Sequence, residues 1–584
     1  MNTQEKTGYP SIDKPWMKYY SEEAMKSSIP ECSMYDAVYQ RNQANKDDIA
    51  LNYFDKKITY GRLFESIEKT AKAFWKTGVR ENDVVVLCTV NMPETVYAIY
   101  ALNRIGAIIN LVDPRTNEKG IRKYINECKA KYILTVEQVY PVITKAIVGT
   151  ELETVIVVPV SNSMPKVAQI LYGIKNKSIT SVCGKNKYSW NEFVKRGKDT
   201  EPQYARYKKD KCFILAHTGG TTGIPKSVML SDKNVNAVMS AYQYLGIPFK
   251  RRQKYFNDLP PFIIYGMTLA LHITLSYGLE VILYPVFDSE KFPELFRKYK
   301  PNHFSALTDH LKNMAESPAI QKMNLNFLIS AGVGGDSLNP KIETQVNSFL
   351  QKHGCKYLVC KGYGMTELAA TAVISTPMAN AIGSVGIPLV HNTVKIMDID
   401  SGQELKYNEV GEIWISGPSI MLGYYKNEEA TSEIISEDEK GQKWIRTGDL
   451  GCMNEDGLLF HKGRIRRIYL TSVMGQPAKI FPNMVEQIMN RQAGVEESAV
   501  VGRYMENSAY YEPVCFVVLK DKSLEHKFVE NQIRESCEKE LPSYMIPVEY
   551  RFVEKFPYTS VGKVDFRKLE TEAENRTYGK KDRV

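Results

Sequence analysis

Ten residues, His217-Thr-Gly-Gly-Thr-Thr-Gly-Ile-Pro-Lys226, concentrate the groups that a polyphosphate needs. They bring together Gly219, Gly220 and Gly223, the hydroxyls of Thr218, Thr221 and Thr222, and the ammonium of Lys226. Glycines let backbone N–H groups close on phosphate oxygens, while hydroxyls and an ammonium add donors and charge. The run is not a Walker A loop, because Pro225 stands where that motif needs glycine before the lysine, and the upstream glycine spacing also differs. Taken alone, an ordinary flexible Gly/Thr loop is the alternative.

Three further segments carry candidate chemistry. In Tyr363-Gly-Met-Thr-Glu367, which follows a strand-like run, Glu367 is a hard oxygen ligand suited to Mg2+, a cation that keeps waters and bridges phosphates with few protein carboxylates. The alternative is a Thr/Glu capping pair. In Trp444-Ile-Arg-Thr-Gly-Asp-Leu-Gly451 the glycines put Asp449 in a tight turn, where a carboxylate can accept from two ribose hydroxyls; a solvated turn aspartate is the alternative. In Pro557-Tyr-Thr-Ser-Val-Gly-Lys-Val-Asp565 a glycine-flanked loop carries Lys563, whose ammonium can neutralise charge growing on a phosphoryl group, or is one more surface lysine.

The elements that must position these residues follow from hydrophobic period. Leu63, Phe64, Ile67, Ala71, Phe74 and Trp75 share one helical face that Gly78 can end, and 84–87 reads as a buried strand. Helix 94–104, a stop at Gly106 and strands at 107–111, 131–135 and 155–160 continue the alternation, which predicts parallel sheets covered on both faces. Strands at 213–215, 327–330 and 357–360 run directly into the Gly/Thr loop, into Ala-Gly-Val-Gly-Gly and into the Tyr363 segment, so three polar loops should meet beyond strand ends in one crevice. Past about residue 465 a smaller unit reads as strands at 499–501 and 516–519 and a helix at 525–540. The expectation is an α/β protein, with a large N-terminal domain over 1–465, its parallel and mixed sheets flanked by helices, and a small mobile C-terminal α/β domain over 466–584.

Bulk properties bound the class. A chain of 584 residues exceeds one hydrophobic core, and 43% hydrophobic with 24% charged residues is ordinary for a folded, soluble protein. A net charge of +9 fits attraction to anionic small molecules, and no RNA-binding aromatic motif, zinc-finger spacing or long basic block points to nucleic acid. Ten scattered cysteines without a Cys-x-x-Cys pair indicate free thiols in a reducing cytoplasm. No secretion signal or transmembrane segment is legible; the most apolar stretch, 268–287, is interrupted by His272, Ser276, Gly278 and Glu280 and reads as helix then strand. In 165–177, Val167, Ile170, Leu171 and Ile174 lie at helical spacing among lysines. The preferred reading is a surface helix docked on its own domain, with weak peripheral membrane association as the alternative.

With these residues assembled, the sequence resembles the adenylate-forming, AMP-binding superfamily, in its acyl-CoA synthetase branch. HTGGTTGIPK is similar to its phosphate loop, AGVGG to its adenine-side loop, YGMTE to its Thr/Glu motif, GEIWISGPSIMLGYY to its Gly-Glu core segment and RTGDLG to its ribose motif. GRIRR resembles the start of its hinge, LPSYMIP a C-terminal motif and PYTSVGKVDFRKLE the segment with its catalytic lysine, all in the family's order over nearly the whole chain. The resemblance implies ATP, Mg2+ and coenzyme A: a carboxylate attacks the α-phosphorus of MgATP, giving acyl-AMP and pyrophosphate, and a thiol then takes the acyl group. It implies that Thr218, Thr221, Thr222 and Lys226, with Gly219, Gly220 and Gly223, hold the departing phosphates. Glu367 would hold the magnesium and Thr366 lie against the α-phosphate. Gly332, Gly334 and Tyr363 would flank the nucleotide, Asp449 and Arg464 the ribose. Lys563 would cross the reacting phosphoryl group in one setting of the small domain and leave in the next.

Two departures limit this carry-over. Ile263 stands where the family often has histidine, and Arg467 where Asp or Lys is usual, followed by a slightly longer hinge segment. Phe262, Ile263, Ile264 and Tyr265 form the expected acid pocket, whose apolar character disfavours an α-ammonium. The expected activity is therefore ATP-dependent ligation of a fatty or aromatic carboxylic acid to coenzyme A. The rivals are loading of an acyl carrier protein, amino-acid adenylation, and an inactive nucleotide-binding protein.

Overall fold

Short valine-, isoleucine- and leucine-rich runs form the parallel centre of one sheet, whose strands are buried on both faces, while glycine, aromatic and small polar residues make up much of the centre of another. The computed structural model describes residues 6–175, 182, 184–218, 226–335, 338–473, 476–505, 510–559 and 564–575. Among these, one sheet runs in the order Gly423–Tyr424, Ser227–Ser231, Cys212–His217, Ile108–Leu111, Val84–Cys88, Tyr132–Val136, Thr154–Val158, Lys187–Ser189. Neighbours are parallel from Cys212–His217 onward, and the first two strands add antiparallel at the edge. The other sheet runs Ile387–Pro388, Val373–Ile374, Cys360–Tyr363, Ser330–Gly334, His303–Ala306, Lys254–Asn257, Glu280–Leu283, Ile49–Tyr53, Lys56–Thr59, parallel except at its two ends.

The helices begin and end where local chemistry says they should. Tyr60–Lys76 starts at Thr59, whose hydroxyl accepts from the Arg62 N–H, and buries Leu63, Phe64, Ile67, Ala71 and Phe74. Pro93–Ile105 has proline in its first turn and stops at Gly106, whose φ of 78° suits a residue without Cβ.

Two expected strands sit later in the chain than their sequence predicts. Ala-Gly-Val-Gly is not a loop after a strand but most of the strand Ser330–Gly334, and Cys360–Tyr363 likewise includes the first residues of its motif. Glycine removes the side chains that would hold neighbours apart: a Cβ on Gly332 would lie 3.0 Å from the Phe304 carbonyl oxygen, and one on Gly334 3.2 Å from that of Gly362. The motif-bearing strands also belong to two sheets, Cys212–His217 to one and Ser330–Gly334 with Cys360–Tyr363 to the other.

The helix Lys166–Lys175 departs from the docked reading. Its polar face is the anchored one: Gln169 Nε2 donates to the carbonyls of Asn162 and Met164 at 3.0 Å, and Tyr172 Oη accepts from Gln138 Nε2 at 2.6 Å. Its apolar face is exposed, with Val167, Ile170, Leu171 and Ile174 between 63% and 78% accessible. Among the described residues no helix is long and apolar enough to cross a membrane.

The chain divides into two compact units, Met1–Lys395 with Trp414–Arg446 and Met453–Leu459, and Ile396–Ile413 with Thr447–Cys452 and Phe460–Val584. The division is not a single cut at 465, because early segments pair inside the smaller unit. Thr447 Oγ1 donates to the Ile413 carbonyl at 2.7 Å, and a Cβ on Gly451 would lie 2.7 Å from the Phe460 carbonyl oxygen. Further on in this unit, Val495–Met505, Tyr510–Leu519 and Glu549–Phe552 form a sheet. Val485, Ile488, Val517, Val529 and Ile533 belong to a core formed with the helices Pro482–Met489 and His526–Glu540.

A buried ion pair fixes the strand that leads to Glu367. The Lys361 ammonium, 4% exposed, contacts the fully buried Glu343 carboxylate and donates to the Ala381 carbonyl at 2.7 Å, while the Gly383 N–H donates to the other Glu343 oxygen at 2.9 Å. Burial pushes the Lys361 pKa down against the pull of Glu343. Removing one charge strands the other, so Lys361→Met should cost about 3–5 kcal/mol in urea unfolding at neutral pH. The double variant with Glu343→Leu should recover most of that loss. A single-variant loss below about 1 kcal/mol would contradict this account of the pair.

Candidate active site

The Gly/Thr run is held at both ends by one hairpin. Cys212–His217 pairs antiparallel with Ser227–Ser231, and the Thr218 N–H donates to the Lys226 carbonyl at 3.0 Å, closing the neck. Gly219, Gly220, Thr221, Thr222 and Gly223 lie outside the described residues. At the neck, His217 Nε2 is 2.6 Å from Asn110 Oδ1 and Nδ1 is 3.2 Å from Ser227 Oγ, and the ring stacks on Tyr124 at 3.8 Å between centroids. Desolvation, with a smaller contribution from Lys123, pushes its pKa down to about 3, so the ring is neutral at physiological pH.

The Tyr363 segment turns back on itself. A Cβ on Gly364 would lie 1.8 Å from the Ala370 carbonyl oxygen, so only glycine fits there. Between them Thr366–Leu368 makes one 3-10 turn, followed by Ala369 and Ala370 at φ of 53° and 106°, a costly conformation for alanine. The turn begins at Met365 without a side-chain cap, so the capping reading of Thr366 and Glu367 is not what the backbone uses. It buries Glu367, 5% exposed, and presents its Oε1 to the Tyr424 hydroxyl, which donates at 2.7 Å. The Met421 N–H donates to the Glu367 carbonyl at 2.9 Å.

Tyr424 also faces Lys226, at the end of the Gly/Thr run. The Lys226 ammonium lies 4.8 Å from the centre of its ring and 3.9 Å from Glu433. Lys226 and Glu367, borne by segments next to two different sheets, are thus brought to one tyrosine. Reasoning from sequence passed over Tyr424, although it lies in the quoted Gly-Glu segment; the strand Gly423–Tyr424, paired with Ser227–Ser231, is what carries it there.

Tyr265 enters an apolar cavity of about 30 Å3 with Tyr242, Phe249, Tyr255, Leu269 and Cys360 on its walls. Phe262, Ile263 and Ile264 do not line it; Phe262 stands 5.6 Å from the Arg115 guanidinium and Ile264 is buried elsewhere. The chain then runs as a π-helix, Gly266–Ile273, with Leu269 and Ile273 facing the cavity. Gly332 and Gly362 complete the wall, and Gly334 leaves room for the Tyr265 ring. A second cavity, about 270 Å3, shares Ile247, Ser330 and Cys360 with the first.

In the smaller unit, Asp449 is not in a turn. It lies within the strand Lys443–Met453 and is 2% exposed, which replaces both the turn and the solvated readings. Gly448, at φ of 67°, supplies the local kink and donates its N–H to Glu412 at 3.0 Å, so the turn-like sequence bends a strand without ending it. Arg464 Nε reaches Asp449 at 2.9 Å and His461 Nε2 lies 3.7 Å away. Lys563 lies outside the described residues. No group of three or more His, Cys, Asp or Glu suited to a metal occurs among the described residues, and Glu367 is oriented by Tyr424.

Comparison with known proteins bears on the family and the fold. A family model described as AMP-binding enzyme matches residues 38–425, and one described as AMP-binding enzyme C-terminal domain matches 484–563. A long-chain-fatty-acid–CoA ligase of Bacillus subtilis (strain 168) is 25% identical over 96% of this chain and 99% of its own. A probable 4-coumarate–CoA ligase of Dictyostelium discoideum is 28% identical over 87% of this chain and 90% of its own. Among solved structures, an anthranilate CoA ligase in complex with anthranoyl-AMP superposes with a TM-score of 0.77 at 20% identity, covering 94% of this chain and 98% of its own. A benzoate CoA ligase from Burkholderia xenovorans LB400 gives 0.76 at 19%, covering 92% and 99%. At these identities the two structures attest the fold.

The neutral His217 gives a pH dependence of defined sign. Its folded pKa lies below the ordinary 6.5, so between about 6.5 and 3 the unfolded chain binds a proton that the folded chain refuses. Stability should therefore fall as pH drops below about 6.5, by up to about 1.4 kcal/mol per pH unit for this residue, and should be indifferent to it above. Burial gives His272 and His303 the same sign. Urea midpoints taken from pH 7 to 5 should show a shallower decline in His217→Gln than in the parent; identical slopes would contradict a neutral His217.

Proposed function

Because the chain belongs to the AMP-binding enzyme family, we propose that it joins a carboxylic acid to coenzyme A through an acyl-adenylate. In the first step a carboxylate oxygen attacks the α-phosphorus of ATP, and the bond to the bridging oxygen breaks to release pyrophosphate. In the second the thiol sulfur attacks the acyl carbon, AMP leaves with its oxygen, and the thiol proton passes to solvent. The observation that carries this reading is the convergence of Lys226 and Glu367 on Tyr424, a cation for phosphate oxygens beside an oriented carboxylate.

The roles follow from charge and position. Lys226 and Thr218, with the residues 219–223 between them, hold the departing phosphates. Glu367, its carboxylate steered by Tyr424, would hold Mg2+, which would neutralise phosphate charge when bound. Thr366 lies against the α-phosphate; Gly332, Gly334 and Tyr363 flank the nucleotide. Asp449, held by Arg464, accepts from the ribose hydroxyls. Lys563 neutralises the reacting phosphoryl group, and the smaller unit that carries it turns between the half-reactions.

The acid is aliphatic or aromatic and lacks an α-ammonium. Neither cavity has a carboxylate on its walls to pair such a charge. The relatives named for long-chain fatty acids and 4-coumarate support the same class. Because the two cavities share Ile247, Ser330 and Cys360, a chain that displaces this partition gains the larger space. The described cysteines are all free thiols, which suits a cytoplasmic setting.

Pyrophosphate exchange with acetate, hexanoate, decanoate, palmitate, benzoate, phenylalanine and alanine tests the reading. Specificity should climb with chain length by up to about 0.8 kcal/mol per methylene and then stop, and both amino acids should be poor. An amino acid that outperforms every simple acid would replace this function with amino-acid adenylation, and absence of exchange with any acid would favour an inactive nucleotide-binding protein. Supplied acyl-AMP, offered to coenzyme A or to a phosphopantetheine-bearing carrier protein, identifies the acceptor.

Lys563→Ala should reduce acyl-adenylate formation by about a hundredfold or more while leaving thioester formation from supplied acyl-AMP nearly intact, because the lysine serves one setting of its unit. Equal losses in both half-reactions would contradict this division of labour.

A further inference from the structure

The helix Lys166–Lys175 is amphipathic in the inverted sense. Polar side chains hold it to the protein, through Gln169 and Tyr172, while Val167, Ile170, Leu171 and Ile174 form a continuous outward stripe at positions i, i+3, i+4 and i+7. Helix Tyr60–Lys76, by contrast, buries its apolar residues on the same unit. Four large aliphatic side chains exposed together on ten residues are a standing free-energy cost in water, offset only if something covers them.

Charge identifies the cover. From 166 to 201 the sequence holds eight basic residues, Lys166, Lys175, Lys177, Lys185, Lys187, Lys195, Arg196 and Lys198, against three acids, Glu192, Asp199 and Glu201. Lys166, Lys185, Lys195, Arg196 and Lys198 are exposed. An apolar stripe alone would suit a second protein or a second copy of this chain, but a copy would bring the same excess of basic residues to the contact. An anionic lipid surface satisfies both features: aliphatic side chains enter the acyl boundary and lysines meet headgroup phosphates. We propose that this helix docks the protein reversibly on the surface of membranes containing anionic phospholipid. The proposal does not depend on the catalytic reading; if both hold, the docked protein meets a water-insoluble acid where that acid is concentrated.

The test is co-sedimentation of the full chain with vesicles of phosphatidylcholine alone and with about 30% phosphatidylglycerol, at low and high salt. The parent should bind the anionic vesicles, lose most binding at about 0.5 M salt, and bind neutral vesicles weakly. Ile170→Asn/Leu171→Asn and Lys166→Glu/Lys185→Glu should each lower partitioning at least about tenfold with unchanged thermal midpoints, since all four side chains point into water. Failure of the parent to bind anionic vesicles, or equal binding by parent and both variants, would overturn the proposal. A parent that sediments as a dimer, ignores vesicles and becomes monomeric in the asparagine variant would assign the stripe to a second copy instead.

Discussion

The site depends on a near-collision. At the end of the strand Cys360–Tyr363 the backbone doubles back so closely that a side chain on Gly364 would overlap the carbonyl of Ala370. This fold-back draws Glu367 off the sheet, buries it and aims it at the Tyr424 hydroxyl. The strand that delivers Tyr424 is antiparallel to Ser227–Ser231, which in turn closes the neck of the Gly/Thr loop. One tight turn thereby couples two sheets whose strands otherwise have separate partners.

Tyr424 has two faces of different chemistry at this junction. Its hydroxyl restrains a carboxylate, and its ring offers a Lys226 ammonium weak electrostatic comfort. The Lys226 partners, a ring at 4.8 Å and a largely exposed Glu433 at 3.9 Å, are weak ones. The cation is held loosely between ring and carboxylate. The Lys361–Glu343 pair is the opposite case: both charges are buried and mutually necessary, and they anchor the strand behind the turn.

Periodicity made the sheet centres and their helices readable, since Val84–Cys88 or Tyr60–Lys76 declare themselves within their own residues. Glycine misled where its smallness serves packing. The Ala-Gly-Val-Gly strand looks like a loop because the features that let strands crowd together also permit turns. Thr-Gly-Asp suggested a turn for the same reason, whereas long-range pairing keeps Asp449 inside a strand. Amphipathic spacing announced the helix Lys166–Lys175 but carries no sign for which face the rest of the protein takes. Tyr424 and the interleaved segments of the smaller unit were invisible because their partners lie far away in the chain. The chemistry-bearing residue types were legible, and the second residue that orients each of them was not.

The two left-handed alanines after Glu367 limit how this protein can adapt to heat. Non-glycine residues in such backbone geometry cost on the order of 1–3 kcal/mol each, so positions 369 and 370 are where thermal margin looks easiest to gain. Glycine or asparagine would relax them, but the relaxed segment would also relinquish the rigid corner that keeps the buried carboxylate in line. Stability gained without disturbing that corner must therefore come from cores and surfaces remote from it, with the uncomfortable dipeptide left in place.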